Sequence, residues 1–224
     1  MDSARMRVVL FGATGMVGQG VLRECLLDPG VERVLAVGRR TTGQKHAKLT
    51  ELAHGDFSDF SQAERDLTGY DACFFCLGVT SIGMSEADYR RVTYDATVAA
   101  AKVLAAKNPG MTFVYVSGSG TDSTGKGRSM WARVKGQTEN ALFQLPFKAA
   151  YMFRPGYIQP LHGIASRTAL YRIPYALVGW TYPFWKAILP AMVTTTEQMG
   201  KAMIAVARNG APKRLLENRD INAL

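Results

Sequence analysis

Val8-Val9-Leu10-Phe11-Gly12-Ala13-Thr14-Gly15-Met16-Val17-Gly18 is the stretch on which the fold turns. Four consecutive apolar residues, Val8 to Phe11, read as a short strand buried on both faces. The glycines that follow are spaced GxxGxxG. Apolar residues then recur with a helical period at Val17, Val21, Leu22, Cys25 and Leu26, until Asp28-Pro29-Gly30 stops the helix. A buried strand, a tight glycine turn and a helix opening directly from it make a seat for a diphosphate. Glycine lets the backbone approach the ligand, and the first N–H groups and dipole of the helix favour an anion. Gly12, Thr14, Gly15, Met16, Val17 and Gly18 are the residues expected there, and a dinucleotide is the ligand implied.

Outward from this unit the alternation repeats. Val34–Val37, a short segment before Asp56, Ala72–Leu77, Thr112–Val116 and Ala149–Phe153 read as strands. Ala87–Lys107 and Trp131–Leu145 read as helices between them. This order specifies an α/β fold, a doubly wound parallel sheet of the Rossmann type. The 224 residues suit one domain, 1–224, with residues 160–195 as a small aromatic capping segment for substrate within it. Ile173 to Val193 approaches the length of a membrane span, but Pro174, Pro183, Pro190 and Lys186 argue against a transmembrane helix. A lid over the substrate is the leading reading, with a homo-oligomer interface and a membrane-surface contact as the others. Thr194 and Glu197 have the spacing of a capping box opening a last helix, which ends near Asn209-Gly210.

An apolar fraction of 47% excludes a disordered chain. The net charge of +9 lacks the dense basic runs interleaved with aromatics that a nucleic-acid surface carries, so no nucleic-acid partner is expected. The cysteines (Cys25, Cys73, Cys76) are odd in number, and the CxxC spacing of Cys73 and Cys76 lies in an apolar run without a second ligand pair. They read as buried strand thiols rather than a metal site. With no signal peptide visible at the N-terminus, the expected location is cytoplasmic.

The group that reads the adenosine ribose belongs at the end of the second strand. That place holds Arg39 and Arg40 and no acid. Guanidinium groups grip a 2′-phosphate, where a carboxylate would repel it, so NADP(H) is favoured over NAD(H). Asp56 and Phe57 suit the adenine, and Leu77-Gly78-Val79 suits close passage of the cofactor.

These motifs, in order Gly12 to Gly18, Gly38-Arg39-Arg40, Asp56, Leu77-Gly78, Ser117-Gly118-Ser119, Lys135 and Arg154-Pro155-Gly156, resemble the atypical short-chain dehydrogenase/reductases. That group includes sugar-nucleotide epimerases and the small Tat-interacting oxidoreductase. The resemblance implies a serine that orients a substrate carbonyl, a tyrosine that moves the proton, and a lysine that holds the nicotinamide ribose. Ser119 and Ser117 match the serine, with Ser119 preferred as lying further beyond the strand, and Lys135 matches the lysine. Trp131 stands where the tyrosine belongs, and an indole N–H does not transfer its proton. Trp131 and Tyr157 are then expected to line the substrate pocket, with Pro155 and Gly156 facing the nicotinamide. Tyr94, Tyr115, Tyr157 and His162 are the candidate replacement acids, and His162 is the one expected to join Ser119, Ser117 and Lys135 in catalysis. Two function classes follow. One is an NADP(H)-dependent oxidoreductase or isomerase of a small hydrophobic substrate; the other is an inert NADP(H)-binding sensor or scaffold.

Overall fold

In the computed structural model, which describes residues 5–165 and 192–224, Met6–Phe11 forms the central strand β1. Helix α1 (Met16–Leu27) carries the chain to β2 (Val31–Gly38) and then to β3 (Leu49–Ala53). The chain crosses to the other side of β1 for β4 (Ala72–Phe75), α2 (Glu86–Arg90), α3 (Ala96–Lys107), β5 (Thr112–Val116), α4 (Met130–Phe143) and β6 (Ala149–Arg154). A short β7 (Tyr157–Gln159) and β8 (Val193–Thr195) pair in parallel as a separate two-stranded sheet. Helix α5 (Thr196–Asn209), β9 (Leu215–Glu217) and α6 (Asn218–Asn222) follow. The main sheet runs β3-β2-β1-β4-β5-β6-β9 with every neighbouring pair parallel. The strand order reverses at the β1/β4 junction, so a crevice opens outside the carboxyl ends of these strands.

Alternation along β1 explains why helices cover both faces. Val8 and Leu10 pack with Val21 and Leu22 of α1 and Met199 and Met203 of α5. Val9 and Phe11 pack on the opposite side with Leu104 of α3, Phe113 of β5 and Leu142 of α4. All four β1 residues are fully buried, as the uninterrupted apolar run requires. The expected helix from Ala87 to Lys107 is present, but Arg91–Asp95 inside it winds as a π-turn. Such turns are frequent at functional sites, and this one brings Arg91, Val92 and Asp95 to the wall of the cleft described below.

Helices α1 and α5 approach almost backbone to backbone. A Cβ at Gly20 would lie 2.5 Å from the Thr196 carbonyl oxygen, and one at Gly200 would lie 2.6 Å from Cγ of Glu24. Gly200→Val is therefore expected to overpack this seam and lower stability by about 1–3 kcal/mol in a urea titration. An unchanged midpoint would show that the two helices separate freely.

The last helix starts one residue later than its sequence spacing indicates. Thr194 is drawn into β8 opposite Ile158, so Thr195 becomes the N-cap and its Oγ1 accepts from the Gln198 N–H at 2.9 Å. Glu197 then sits in the first turn, where the helix dipole favours a carboxylate. The aromatic stretch of the expected 160–195 cap lies outside the described residues over 166–191. Among the described residues, no helix is long and apolar enough to cross a membrane.

Candidate functional site

A cleft of about 1260 Å³ runs along the carboxyl ends of the central strands. That exceeds the roughly 300–1,000 Å³ of an ordinary small-molecule pocket. The glycine turn forms its floor. Gly12 has φ +80°, and a Cβ there would come within 2.8 Å of the Cys76 and Leu77 backbone, so only glycine lets the turn lie against the loop after β4. The Gly15 N–H donates to the Gly12 carbonyl at 2.9 Å, and Gln19 Nε2 donates to the Thr14 carbonyl at 3.1 Å. Thr14, Gly15, Met16 and Val17 line the cleft as expected residues; Gly18 does not. A Cβ on Gly18 would sit 2.0 Å from the Gly12 oxygen, so this glycine seats α1 on the turn from behind. Helix α1 begins without a side-chain cap and without an acid in its first turn, so the helix brings no carboxylate of its own to compete with a diphosphate there. The residues present fit the phosphates of a dinucleotide.

Arg39, Arg40, Asp56, Phe57, Leu77, Gly78 and Val79 all lie on the cleft wall. Both arginines are exposed, and neither has an ion-pair partner among the described residues. Hydrogen bonds from the Ser58 hydroxyl (2.6 Å) and N–H (2.9 Å) hold the Asp56 carboxyl below the usual carboxylate range. Glu51 also reaches this wall, from β3. No acid stands at the end of β2, and this one comes from the next strand, where spacing from the glycine turn does not point to it. Cys73 is buried in β4, whereas Cys76 lies just past the strand on the cleft wall, a correction to its reading as a strand thiol.

At the other end, Ser117, Gly118, Lys135, Pro155 and Gly156 come together. Lys135 Nζ donates to the Ser117 carbonyl and, at 3.4 Å, to that of Val116. Burial of the ammonium pulls its pKa down to about 8, against a smaller upward pull from Glu139. What lies beneath carries no signature in the sequence. Glu139 is fully buried one turn after Lys135 and accepts a hydrogen bond from the Ser117 hydroxyl at 2.6 Å. Its carboxylate takes a two-pronged grip from Arg154, with Nε to Oε1 at 3.0 Å and Nη2 to Oε2 at 2.5 Å. Arg154 also reaches Ser123 Oγ and, at 3.4 Å, Glu217. The Gly156 N–H donates to Asn218 Oδ1 at 2.9 Å, which pins the Pro155-Gly156 wall from below.

Several expected residues are not brought to this wall. Ser119, the preferred serine, is exposed, and its N–H is tied to the Pro155 carbonyl at 2.8 Å. Gly118 (φ +150°) and Gly120 (φ +84°) break the strand alternation, so the side chain two residues on does not repeat the direction of Ser117. Trp131 is half-buried with its indole against these glycines, about 4 Å from Cβ positions built on Gly118 and Gly120, rather than in the cleft. Tyr157 Oη donates to Gln159 Oε1 at 2.8 Å, away from the lining residues. His162 is exposed at φ +57°, with Nε2 2.7 Å from the Glu197 carboxylate, whose other oxygen holds Lys201. Tyr94 lies under the Arg90 guanidinium, 4.0 Å from ring centre. Tyr115 is buried in β5, and desolvation pushes its phenol well above the ordinary value.

Comparison with known proteins bears on the family and the fold. A family model described as NAD(P)H-binding matches residues 12–144. The protein fmp52, mitochondrial, of Emericella nidulans is 33% identical over 159 residues, covering 67% of this chain and 66% of that protein. That match thus spans just under two thirds of the relative's own length. FMP52, mitochondrial, of Candida albicans is 24% identical over 213 residues, covering 92% and 89%. Among solved structures, Bordetella bronchiseptica WbmF in complex with NAD+ superposes with a TM-score of 0.67 at 16% identity, covering 98% of this chain and 77% of that one. A short chain dehydrogenase family protein from Francisella tularensis gives 0.64 at 12% identity, covering 92% and 93%. Likeness at these identities shows the fold. The mitochondrial names of the relatives overturn the cytoplasmic expectation: three unpaired thiols speak to a reducing environment and not to an address. With a parallel sheet shared with short-chain dehydrogenase/reductases, and a family match over more than half of its length, the chain belongs to the NAD(P)H-binding family.

Proposed function

We propose that this protein is an NADPH-preferring oxidoreductase of the atypical short-chain dehydrogenase/reductase kind, acting on a small hydrophobic carbonyl compound. One nucleotide-binding domain, 1–224, would carry the cleft, and residues 160–195 would shape its substrate end. The observation that carries this reading is the meeting of Lys135, Ser117 and Pro155-Gly156 on the same cleft as the glycine turn. When bound, a reduced nicotinamide supplies the hydride. Lys135 supplies the proton: two of its N–H directions point to the Val116 and Ser117 carbonyls, and a pKa near 8 leaves the ammonium protonated yet exchangeable at neutral pH. It takes this role in place of a tyrosine at position 131. A second reading, a cofactor-binding protein without turnover, is favoured by the Ser117 hydroxyl, whose proton is committed to Glu139 rather than offered to a substrate.

Calorimetric titration with NADPH and NADH tests the cofactor half of the proposal. Wild type is expected to bind NADPH more tightly, and Arg39→Ala and Arg40→Ala are each expected to remove about 1.5–3 kcal/mol from NADPH binding alone. Equal affinities in wild type would end the NADPH preference. Deuterium transfer from labelled NADPH to a panel of aldehydes and ketones separates the two readings, because a protein without turnover transfers none.

A further inference from the structure

We infer that Glu51 sets the balance between NADPH and NADH, by placing a carboxylate at the arginine-lined end of the cleft. This rests on the proposed dinucleotide reading of the site. Glu51 sits in β3 opposite Ala36 of β2, half-buried, and shares the cleft wall with Gly38, Arg39, Arg40 and Thr42. Its Oε1 accepts the Thr42 N–H at 2.5 Å, so the segment that leaves β2 with both arginines folds back and hooks onto this carboxylate. Among the described residues Oε2 has no hydrogen-bond partner, and no guanidinium comes within salt-bridge distance of Glu51. The carboxylate is therefore neither neutralised by Arg39 and Arg40 nor used up by the loop.

Two opposing consequences follow for a ligand at this wall. The free oxygen accepts a hydrogen bond from a ribose hydroxyl, which a ligand without a 2′-phosphate offers. The same negative charge repels a 2′-phosphate that the two arginines attract. Glu51 thus moderates the preference that the arginine pair creates, while its other oxygen keeps that pair in place.

Glu51→Gln separates these roles, because glutamine retains an acceptor for the Thr42 N–H and loses the charge. The ratio of NADH to NADPH dissociation constants is expected to rise by about fivefold in this variant, the scale of one partly screened charge pair. Adenosine 2′,5′-bisphosphate and 5′-AMP, which isolate the 2′-phosphate from the rest of the cofactor, should show the same shift. Glu51→Ala, which also releases Thr42, is expected to weaken NADPH and the bisphosphate relative to Glu51→Gln. An unchanged or lowered ratio in Glu51→Gln, with the melting temperature kept, would overturn the inference. Failure of wild type to bind either dinucleotide would instead overturn the reading of the cleft itself.

Discussion

Glu139→Ala is expected to destabilise the protein by about 3 kcal/mol, because it takes the two-pronged partner from the buried Arg154 guanidinium and leaves it only the longer contact to the exposed Glu217 carboxylate. Glu139 is fully buried, and its carboxylate is the meeting point of Ser117 Oγ and two nitrogens of Arg154. A domain of this kind is stable by only about 5–15 kcal/mol, so the loss removes a large fraction of the total. Guanidinium titration of the purified variant reads it directly. Glu139→Gln keeps the shape and an acceptor for Ser117 while removing the charge, so it is expected to fall between wild type and alanine. Its NADPH affinity should also drop, since Arg154 leads directly into Pro155-Gly156 on the cleft wall. A loss below 1 kcal/mol in Glu139→Ala would mean that Ser123, Glu217 and water suffice for Arg154, and that the network does not hold the reaction end together.

On the proposed reading of Lys135 as proton donor, Lys135→Met is expected to lower turnover by about 10²–10⁴-fold, the usual contribution of such a group. The pH dependence distinguishes this from a role in binding alone. Because burial lowers the Lys135 pKa to about 8, the proton-bearing form predominates below that pH and is lost above it. The kcat of wild type should therefore fall as pH rises through about 8. Lys135→Arg, whose guanidinium does not titrate in this range, should lose that limb while retaining part of the cofactor affinity. Turnover in Lys135→Met equal to wild type would place the proton donor elsewhere.

What the sequence made legible was what depends on local spacing. The apolar run of β1, the glycines after it and the period of α1 each follow from neighbours within a few residues, and together they locate the glycine-turn end of the cleft. Arg39 and Arg40 were legible for the same reason, since the end of β2 is a fixed distance from that turn. Even the helix from Ala87 was readable, although its π-turn was not, because one extra residue in a turn leaves the apolar pattern on either side intact.

The Lys135 end of the cleft depended on directions that spacing does not encode. Trp131 and Lys135 are one helical turn apart and share a face of α4, yet the Gly118–Gly120 loop lies against the indole and only the lysine reaches the cleft. Ser117 and Ser119 differ by two positions, and the glycine conformations between and after them decide which is on the wall. His162 was drawn to Glu197, 35 residues away, and Thr194 into a strand pair with Ile158. Glu51 and the Glu139–Arg154 pair carry no local signature, since an acid in a strand or helix acquires a partner only when another element is packed against it. The sequence by itself thus determined the doubly wound sheet and the glycine seat of the cofactor, because both arise from short-range periodicity and turn chemistry. Tertiary structure alone decided which hydroxyl, which carboxylate and which cation stand at the cleft, because those choices are made by contacts between separate elements, such as Glu139 with Ser117 and Arg154, and Lys135 with the Val116 carbonyl.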